Sequence, residues 1–250
     1  MAPRLISIVK PKRLIMAEIN LKASISGVSM TGAVTARIKT SLSTLHLLSA
    51  AYFARESAKC EKTTKVTEEL RSHHRAYVTG SITLSIASIE SAINELFLEA
   101  VHKNDQFFSH LQSNVPDVLI ELWGQAERFS ILEKYQLVLA IAEKAKFKKG
   151  NSPYQEVDSA IRLRNALVHY KPEWDDEIKE HKKLESRLKA RFLLNPFTKP
   201  DQAFFPHRCL SHGCAEWVVK SCINFTEDFH NRAGFKTKWD KGQKNLLKTK

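Results

Sequence analysis

Apolar residues recur at helical spacing over most of the chain, and the strongest pattern lies between about residue 66 and about residue 102. There, apolar residues repeat at intervals of three and four, which places them along one side of a helix packed lengthwise against other helices. Gly80, near the start of this helix, is a weak point at which the helix can break. The apolar positions are Val78, Ile82, Ile86, Ile89, Ile93, Leu96 and Ala100.

Further helices are predicted on the same basis. They cover residues 41–59, 117–123, 127–149, 153–171 and 176–192, and Ser211 caps a last one. Residues 104–116 are expected to form a loop. Gly150 is expected to end the helix over 127–149, whose last turns would then carry Lys144, Lys146, Lys148 and Lys149. In the helix over 41–59 the residues expected to face inward are Leu42, Leu45, Leu48, Tyr52 and Phe53.

The first forty residues show a different period. From residue 14 to residue 26, apolar and polar residues alternate almost strictly, which is typical of a half-buried strand. Gly27 to Gly32 supplies turn residues, and alternation resumes at Val34, Ala36 and Ile38. The sequence therefore predicts a mainly α protein with an N-terminal β-hairpin (residues 1–40), a helical domain (41–233) and a basic C-terminal tail (234–250).

Composition adds information about partners. The chain carries a formal net charge of +12, which fits a polyanionic partner such as nucleic acid or a membrane surface, although a solvated basic surface is the alternative. We find no run of eighteen apolar residues, so a membrane span is not predicted. Four cysteines in a chain of 250 residues favour reduced thiols and a cytoplasmic location.

The segment with the most chemical content spans residues 161–174 and reads I-R-L-R-N-A-L-V-H-Y-K-P-E-W. Pro172 stops the predicted helix just after Arg164, Asn165 and His169. RNA cleavage needs a base for the 2′-hydroxyl proton, an acid for the leaving oxygen and a cation for the charge of the phosphorane. A histidine can take either proton-transfer role, and an arginine fork suits the phosphoryl oxygens. Asn165 can orient His169 or contact phosphate.

Two other interpretations of this segment stay open. Arg164 and His169 can cap carbonyl groups at the helix end, which is a common use of basic residues there. They can also bind a ligand without catalysis. Because the two residues are five apart, their directions from the helix axis differ by about 140°.

Arg164, four intervening residues and His169 resemble the arginine-x4–6-histidine motif of the HEPN superfamily. The resemblance implies a small helical bundle that pairs as a homodimer, cleaves RNA without a metal or other cofactor, and acts as a toxin or antiviral-defence effector under an antitoxin or regulatory protein. A non-catalytic RNA- or nucleotide-binding or protein-interaction module is the alternative. One subgroup has a tyrosine two residues after the histidine, whereas Tyr170 directly follows His169 here, so only a supporting role is considered for Tyr170.

The chain from about residue 54 to about residue 229 also resembles an uncharacterised bacterial HEPN-like group, through H-R-A-Y-V-T-G-S, E-S-A-I-N-E-L-F and the segment quoted above. Acids in the early helices of HEPN-like bundles lie near the arginine and histidine. Glu90 is therefore a candidate partner of Arg164, and a flanking surface carboxylate is the other interpretation.

Other residue clusters and motifs give weaker evidence for a functional site. His207, Cys209, His212 and Cys214 do not show the paired spacing typical of a zinc site, so no metal site is predicted. The chain has neither a glycine-rich phosphate loop nor a G-x-S-x-G motif, which disfavours nucleoside-triphosphate hydrolysis and serine hydrolysis.

Overall fold

The computed structural model describes residues 18–25, 28–35, 41–102, 104–170, 179–235, 239 and 241–249, which fall into two compact units, residues 1–40 and 41–250. In the first unit, β1 (Glu18–Ile25) and β2 (Val28–Thr35) pair as antiparallel strands. The predicted turn over 27–32 is too long, because β2 begins at Val28 and includes Gly32. Ala36 and Ile38 lie outside the described residues.

The second unit is helical. A short turn at Phe204–Arg208, in which Phe205 has an extended backbone conformation, lies in the connection before α8. The helices are α1 (Leu42–Lys62), α2 (Glu68–Val101), α3 (Asp105–Phe108), α4 (Val115–Ala126), α5 (Ile131–Ile141), α6 (Tyr154–Val168), α7 (Lys179–Leu188), α8 (His212–Ala233) and α9 (Lys241–Leu246). The predicted mainly α class and helical bundle are thus confirmed. The sequence underestimates α4, which runs from 115 to 126, and misses α3 inside the expected loop.

Helix α2 lies at the centre of the bundle and packs against α1, α4, α5, α6 and α8. All seven apolar positions predicted to face inward are at most 5% exposed. The helix is continuous through Gly80, so the predicted weak point does not break it. A Cβ atom at Gly80 would lie 2.9 Å from the ring of Phe53 on α1. The glycine therefore allows α1 and α2 to approach each other closely.

Helix α2 is also the one helix of the described chain that is long and apolar enough to cross a membrane, judged by length and composition alone. In its most apolar window, 44% of the residues are buried inside the protein. Core helices and signal sequences meet the same criterion, so the finding is weak evidence for a span.

The buried face of α1 differs from the predicted one. Leu42, Leu45 and Tyr52 are each about half exposed, whereas Leu48 packs partly against the core. The residues that α1 buries are mostly small, and small side chains let helix backbones pack closely. They are Leu47, Ala50, Ala51, Ala54 and Ala58.

Helix α5 is about half as long as predicted. Its start at Ile131 follows a capping box, in which the Ser130 backbone N–H donates to the Glu133 carboxylate at 2.9 Å. It ends at Ile141, and Glu143 takes a left-handed conformation with φ of 53°. A left-handed residue cannot continue an α-helix, so the predicted extension to residue 149 is wrong.

Residues after α5 fold back over that helix instead. The side-chain amide of Gln136 bonds both the N–H and the C=O of Phe147 at 2.9 Å, and Phe147 is 5% exposed. The guanidinium of Arg232 lies 4.7 Å from the centre of the Phe147 ring. The lysines at 144–149 therefore lie on a non-helical segment and not at a helix C-terminus.

The end of the chain packs onto the bundle. Ser211 caps α8 as predicted, by accepting a bond from the backbone N–H of Cys214 at 3.0 Å. The stretch assigned to a basic tail contains α9, and Leu247 is 6% exposed. The guanidinium of Arg55 on α1 donates to the carbonyl groups of Leu246 and Lys248. Residues 241–249 are thus part of the helical unit.

Candidate active site at the end of helix α6

Helix α6 presents the predicted site residues in its last two turns. It starts after Pro153 and buries Tyr154, Val157, Ala160 and Leu163 against the core. It ends at Val168, three residues earlier than predicted. His169 is the C-cap residue: its backbone N–H donates to the carbonyl of Asn165 at 2.8 Å. Pro172 lies outside the described residues.

Arg164 lies where α6 packs against α2. Its side chain is 22% exposed, and its Nη2 lies 3.5 Å from Oε2 of Glu90, so the structure brings these two predicted residues together. The Glu90 side chain is 45% exposed. Solvent screens such a pair, so we expect it to contribute no more than about 1 kcal/mol to stability.

One donor of Arg164 lacks a partner among the described residues. This donor is the Nε atom, which is buried. A buried donor of this kind normally has a partner, which can be a water molecule or a ligand. In the described part of the chain, Arg164 donates to no carbonyl at the end of α6, so its contacts there are not those of a helix cap.

Asn165 and His169 are exposed and lie on one face of α6, four residues apart. The His169 side chain makes no hydrogen bond or ion pair within the described chain, which leaves both ring nitrogens accessible to a ligand. An exposed, unbonded imidazole can accept or donate a proton at a bound substrate.

A second arginine belongs to the same face. Arg162 is seven residues before His169, so their directions from the helix axis differ by only about 20°. Its Nε lies 3.0 Å from Oδ2 of Asp158, and Arg187 of α7 reaches the same carboxylate at 3.3 Å. Arg162 was not among the predicted site residues, although its seven-residue spacing from His169 was a usable signal.

Tyr170 is 44% exposed, and its ring centre lies 6.1 Å from that of Phe205 in the Phe204–Arg208 turn.

Within one chain, the structure pairs Arg164 with Glu90 and places Asn165 and His169 on one face of α6. No hydrogen bond or ion pair of the described residues joins Arg164 to His169.

A cavity in the described part of the chain lies away from these residues. It has a volume of about 640 Å³ and is bordered by α2, the α3 region, α5 and the end of α8. Arg164, Asn165 and His169 are not among its lining residues. The candidate site is thus an open helix end and not an enclosed pocket.

Comparison of the chain with protein-family models, with curated proteins and with solved structures found no match.

The rival cysteine and histidine cluster does not form a metal-binding group among the described residues, where no set of three or more potential ligands converges. Cys209 and Cys214 are fully buried free thiols. The backbone N–H of His212 donates to the Glu61 carboxylate at 2.6 Å, and its Nδ1 lies 3.0 Å from the carbonyl of Ala54. These contacts give His212 a structural role between α1 and α8.

The four free cysteines are expected to differ in reactivity. Burial raises the pKa of Cys209 to about 12 and raises the pKa of Cys214 and Cys222 as well. Burial raises the pKa of Cys60 too, but Cys60 is 7% exposed whereas the other three are fully buried. Since the thiolate is the nucleophile, a maleimide should label Cys60 first in the native protein and all four cysteines in guanidinium. Peptide mass spectrometry checks this, and native labelling of Cys209, Cys214 or Cys222 as fast as Cys60 would contradict the burial.

Proposed function

We propose that the protein is a metal-independent endoribonuclease of the HEPN type. The observation that carries the proposal is the exposed, unbonded imidazole of His169 beside Asn165, on the helix whose Arg164 retains an unpartnered Nε donor. The net charge of +12 supports a polyanionic substrate. The setting we propose is a toxin or an antiviral-defence effector, held in check by an antitoxin or another regulatory protein.

In the proposed reaction the 2′-hydroxyl oxygen of RNA attacks the adjacent phosphorus. An imidazole of His169 accepts the hydroxyl proton, and an imidazolium donates a proton to the departing 5′-oxygen. The products are a 2′,3′-cyclic phosphate and a 5′-hydroxyl end. Arg164 stabilises the negative charge of the phosphorane, and Asn165 orients the imidazole or contacts a phosphoryl oxygen.

The proposed reaction uses two imidazoles, whereas one chain has a single His169. A homodimer that places two α6 ends in one groove provides both. Mixing wild-type protein with a His169→Ala copy then forms heterodimers that contain only one imidazole. In this proposal the mixture cleaves RNA more slowly than the summed rates of the two proteins measured separately.

Replacing Arg164 by alanine is expected to lower the rate of RNA cleavage by about 10²- to 10³-fold, the usual loss for one transition-state donor. Replacing Arg162 by alanine should cost less than about tenfold, since Asp158 already occupies its guanidinium. Initial rates on single-stranded RNA, with thermal melting of each variant, measure both effects.

The Glu90→Gln variant tests whether Arg164 acts on the phosphate directly or only through its contact with Glu90, because it removes the ion pair and keeps the arginine. If Glu90→Gln slows cleavage as much as Arg164→Ala, then Arg164 acts through the pair and not on the phosphate. A larger loss for Arg162→Ala than for Arg164→Ala would transfer the charge-stabilising role to Arg162.

A non-catalytic RNA- or nucleotide-binding module is the second candidate, and the net charge of +12 favours it independently of His169. Exposed Lys182 and Lys183 on α7 can contact phosphates. Such a module would bind RNA with an affinity that falls steeply as salt rises, and would release it intact.

A further inference from the structure

A small polar cavity of about 100 Å³ lies at the first turns of α2, far along that helix from Glu90. The segment over residues 195–210 forms its other wall. Most of its lining side chains are polar. They are Arg71, His74, Arg75, Asn195, Thr198, Gln202 and His207, with Phe197, Pro206 and Leu210 as apolar neighbours.

Two guanidinium groups determine the charge of this cavity. Arg71 and Arg75 are four residues apart on α2 and therefore lie on one helix face. Among the described residues, no carboxylate lines the cavity. The Arg75 side chain is exposed and makes no hydrogen bond or ion pair within the described chain. Among the described residues, only the exposed carboxylate of Glu68 pairs with these arginines, at 3.6 Å from Nε of Arg71.

Arg71 combines a structural role with free donors. Its Nη1 donates to the carbonyl of Phe197, and its guanidinium carbon lies 5.7 Å from the centre of the Phe197 ring. Its Nε lies 3.6 Å from the carboxylate of Glu68, a residue that is almost fully exposed. A guanidinium has five N–H groups, so these contacts leave donors that can face the cavity.

Hydrogen bonds and a ring contact hold both walls of the cavity in place. His74 is 2% exposed, and its Nε2 lies 2.8 Å from Oε1 of Glu61. The His74 ring meets the Phe197 ring edge-on, with centres 5.0 Å apart. Gln202 uses its side-chain oxygen to accept the backbone N–H of Lys199 at 2.8 Å, which leaves its NH₂ group as a donor. The cavity is therefore preformed in the described structure.

We propose that this cavity is a phosphate-binding site in which Arg71 and Arg75 hold the phosphate oxygens. Two arginines line the cavity, the arginine fork matches phosphate geometry, and the small volume suits one oxyanion better than a sugar or a base. The phosphate can belong to a free phosphate or nucleotide, or to the backbone of an RNA. The proposal does not depend on catalysis at the end of α6.

Arg75→Gln is the informative variant, because Arg71 also anchors Phe197 whereas the Arg75 side chain bonds to nothing described. Arg128→Gln removes the same charge from an exposed position outside the cavity and serves as the matched control. Inorganic phosphate is titrated into each full-length protein by calorimetry at constant ionic strength. We expect one phosphate per wild-type chain, about tenfold weaker binding in Arg75→Gln, and binding within about twofold of wild type in Arg128→Gln.

A second arm identifies the source of the phosphate. A single-stranded RNA oligonucleotide is titrated in the His169→Ala background, so that cleavage does not obscure binding. If the RNA backbone is the source, Arg75→Gln weakens RNA binding by about tenfold and lowers the salt slope by about one. If a free phosphate or nucleotide is the source, Arg75→Gln weakens phosphate and adenosine monophosphate binding and leaves RNA affinity unchanged.

Two results would overturn the site. The first is absence of binding to both probes: phosphate, tested on the wild-type protein up to about 10 mM, a concentration that detects even weak complexes, and RNA, tested in the His169→Ala background. The second is equal affinity of the Arg75→Gln and Arg128→Gln variants for all three probes. The phosphate titration is independent of RNA cleavage, which is measured separately through His169.

Discussion

Replacing His169 by alanine should abolish RNA cleavage and leave the fold intact. Loss of a general acid or base costs about 10²- to 10⁴-fold in rate, and two such losses occur in a dimer that uses both imidazoles. The side chain is exposed and unbonded within the described chain, so we expect the free energy of unfolding to change by less than about 0.5 kcal/mol. Gel analysis of total RNA with EDTA present, together with thermal melting, measures both quantities.

His102→Ala is the matched control for this prediction. His102 is also an exposed C-cap residue, at the end of α2, and its backbone N–H bonds the carbonyl of Leu98. It should retain wild-type cleavage, because an exposed cap histidine without a substrate has no catalytic role. Equal activity of the His169→Ala protein and the wild type, or a wild-type protein that cuts no RNA, would remove the nuclease proposal.

The second large effect concerns stability. Ile86 is fully buried at the middle of α2, among the apolar residues that contact the surrounding helices. Ile86→Ala should lower the free energy of unfolding by about 2–5 kcal/mol, since it removes buried methyl groups and leaves a cavity. Denaturant titration followed by circular dichroism gives the change.

Thr83 provides the control on the same helix, because its side chain is exposed. Thr83→Ala should change the free energy of unfolding by less than about 0.5 kcal/mol, with a small gain in helix propensity. If Ile86→Ala and Thr83→Ala have equal effects, α2 is not packed at the centre of the bundle.

The sequence predicts α2 well because its buried apolar positions repeat at intervals of three and four from Val78 to Ala100. Prediction of the buried face fails for α1, where Leu42 and Leu45 suggest one face while alanines form the actual contact. A prediction from periodicity assigns large apolar residues to the buried face, whereas two closely packed helices bury small residues at their contact. The identity of the buried residues depends on the neighbouring helix and cannot be read from α1 alone.

The end of α5 shows another limit of sequence reasoning. Its predicted continuation contains good helix formers, yet Phe147 is held against Gln136 and the chain reverses at Glu143. These contacts are tertiary and outweigh local propensity. Helix α9, in the stretch predicted to be a basic tail, was missed for a similar reason, because its contacts with Arg55 join distant parts of the chain.

For the candidate site, the sequence predicts what helix geometry determines. The helix end, the shared face of Asn165 and His169, and Glu90 as a partner of Arg164 follow from spacing and from the HEPN resemblance. The cavity beside Arg75 was not predicted, since its other wall comes from residues 195–210, more than a hundred positions away. A pairing of two such distant segments leaves no periodic signal in either one.

The continuity of α2 through Gly80 has a mechanical consequence. Arg75 and Glu90 are fifteen residues apart on one uninterrupted helix, which separates them by about 22 Å at 1.5 Å per residue. Loop movement does not alter that separation, because no hinge intervenes. A nucleic-acid strand that contacted both positions would therefore bind in one fixed register. A fragment too short to span about 22 Å would contact one position at a time.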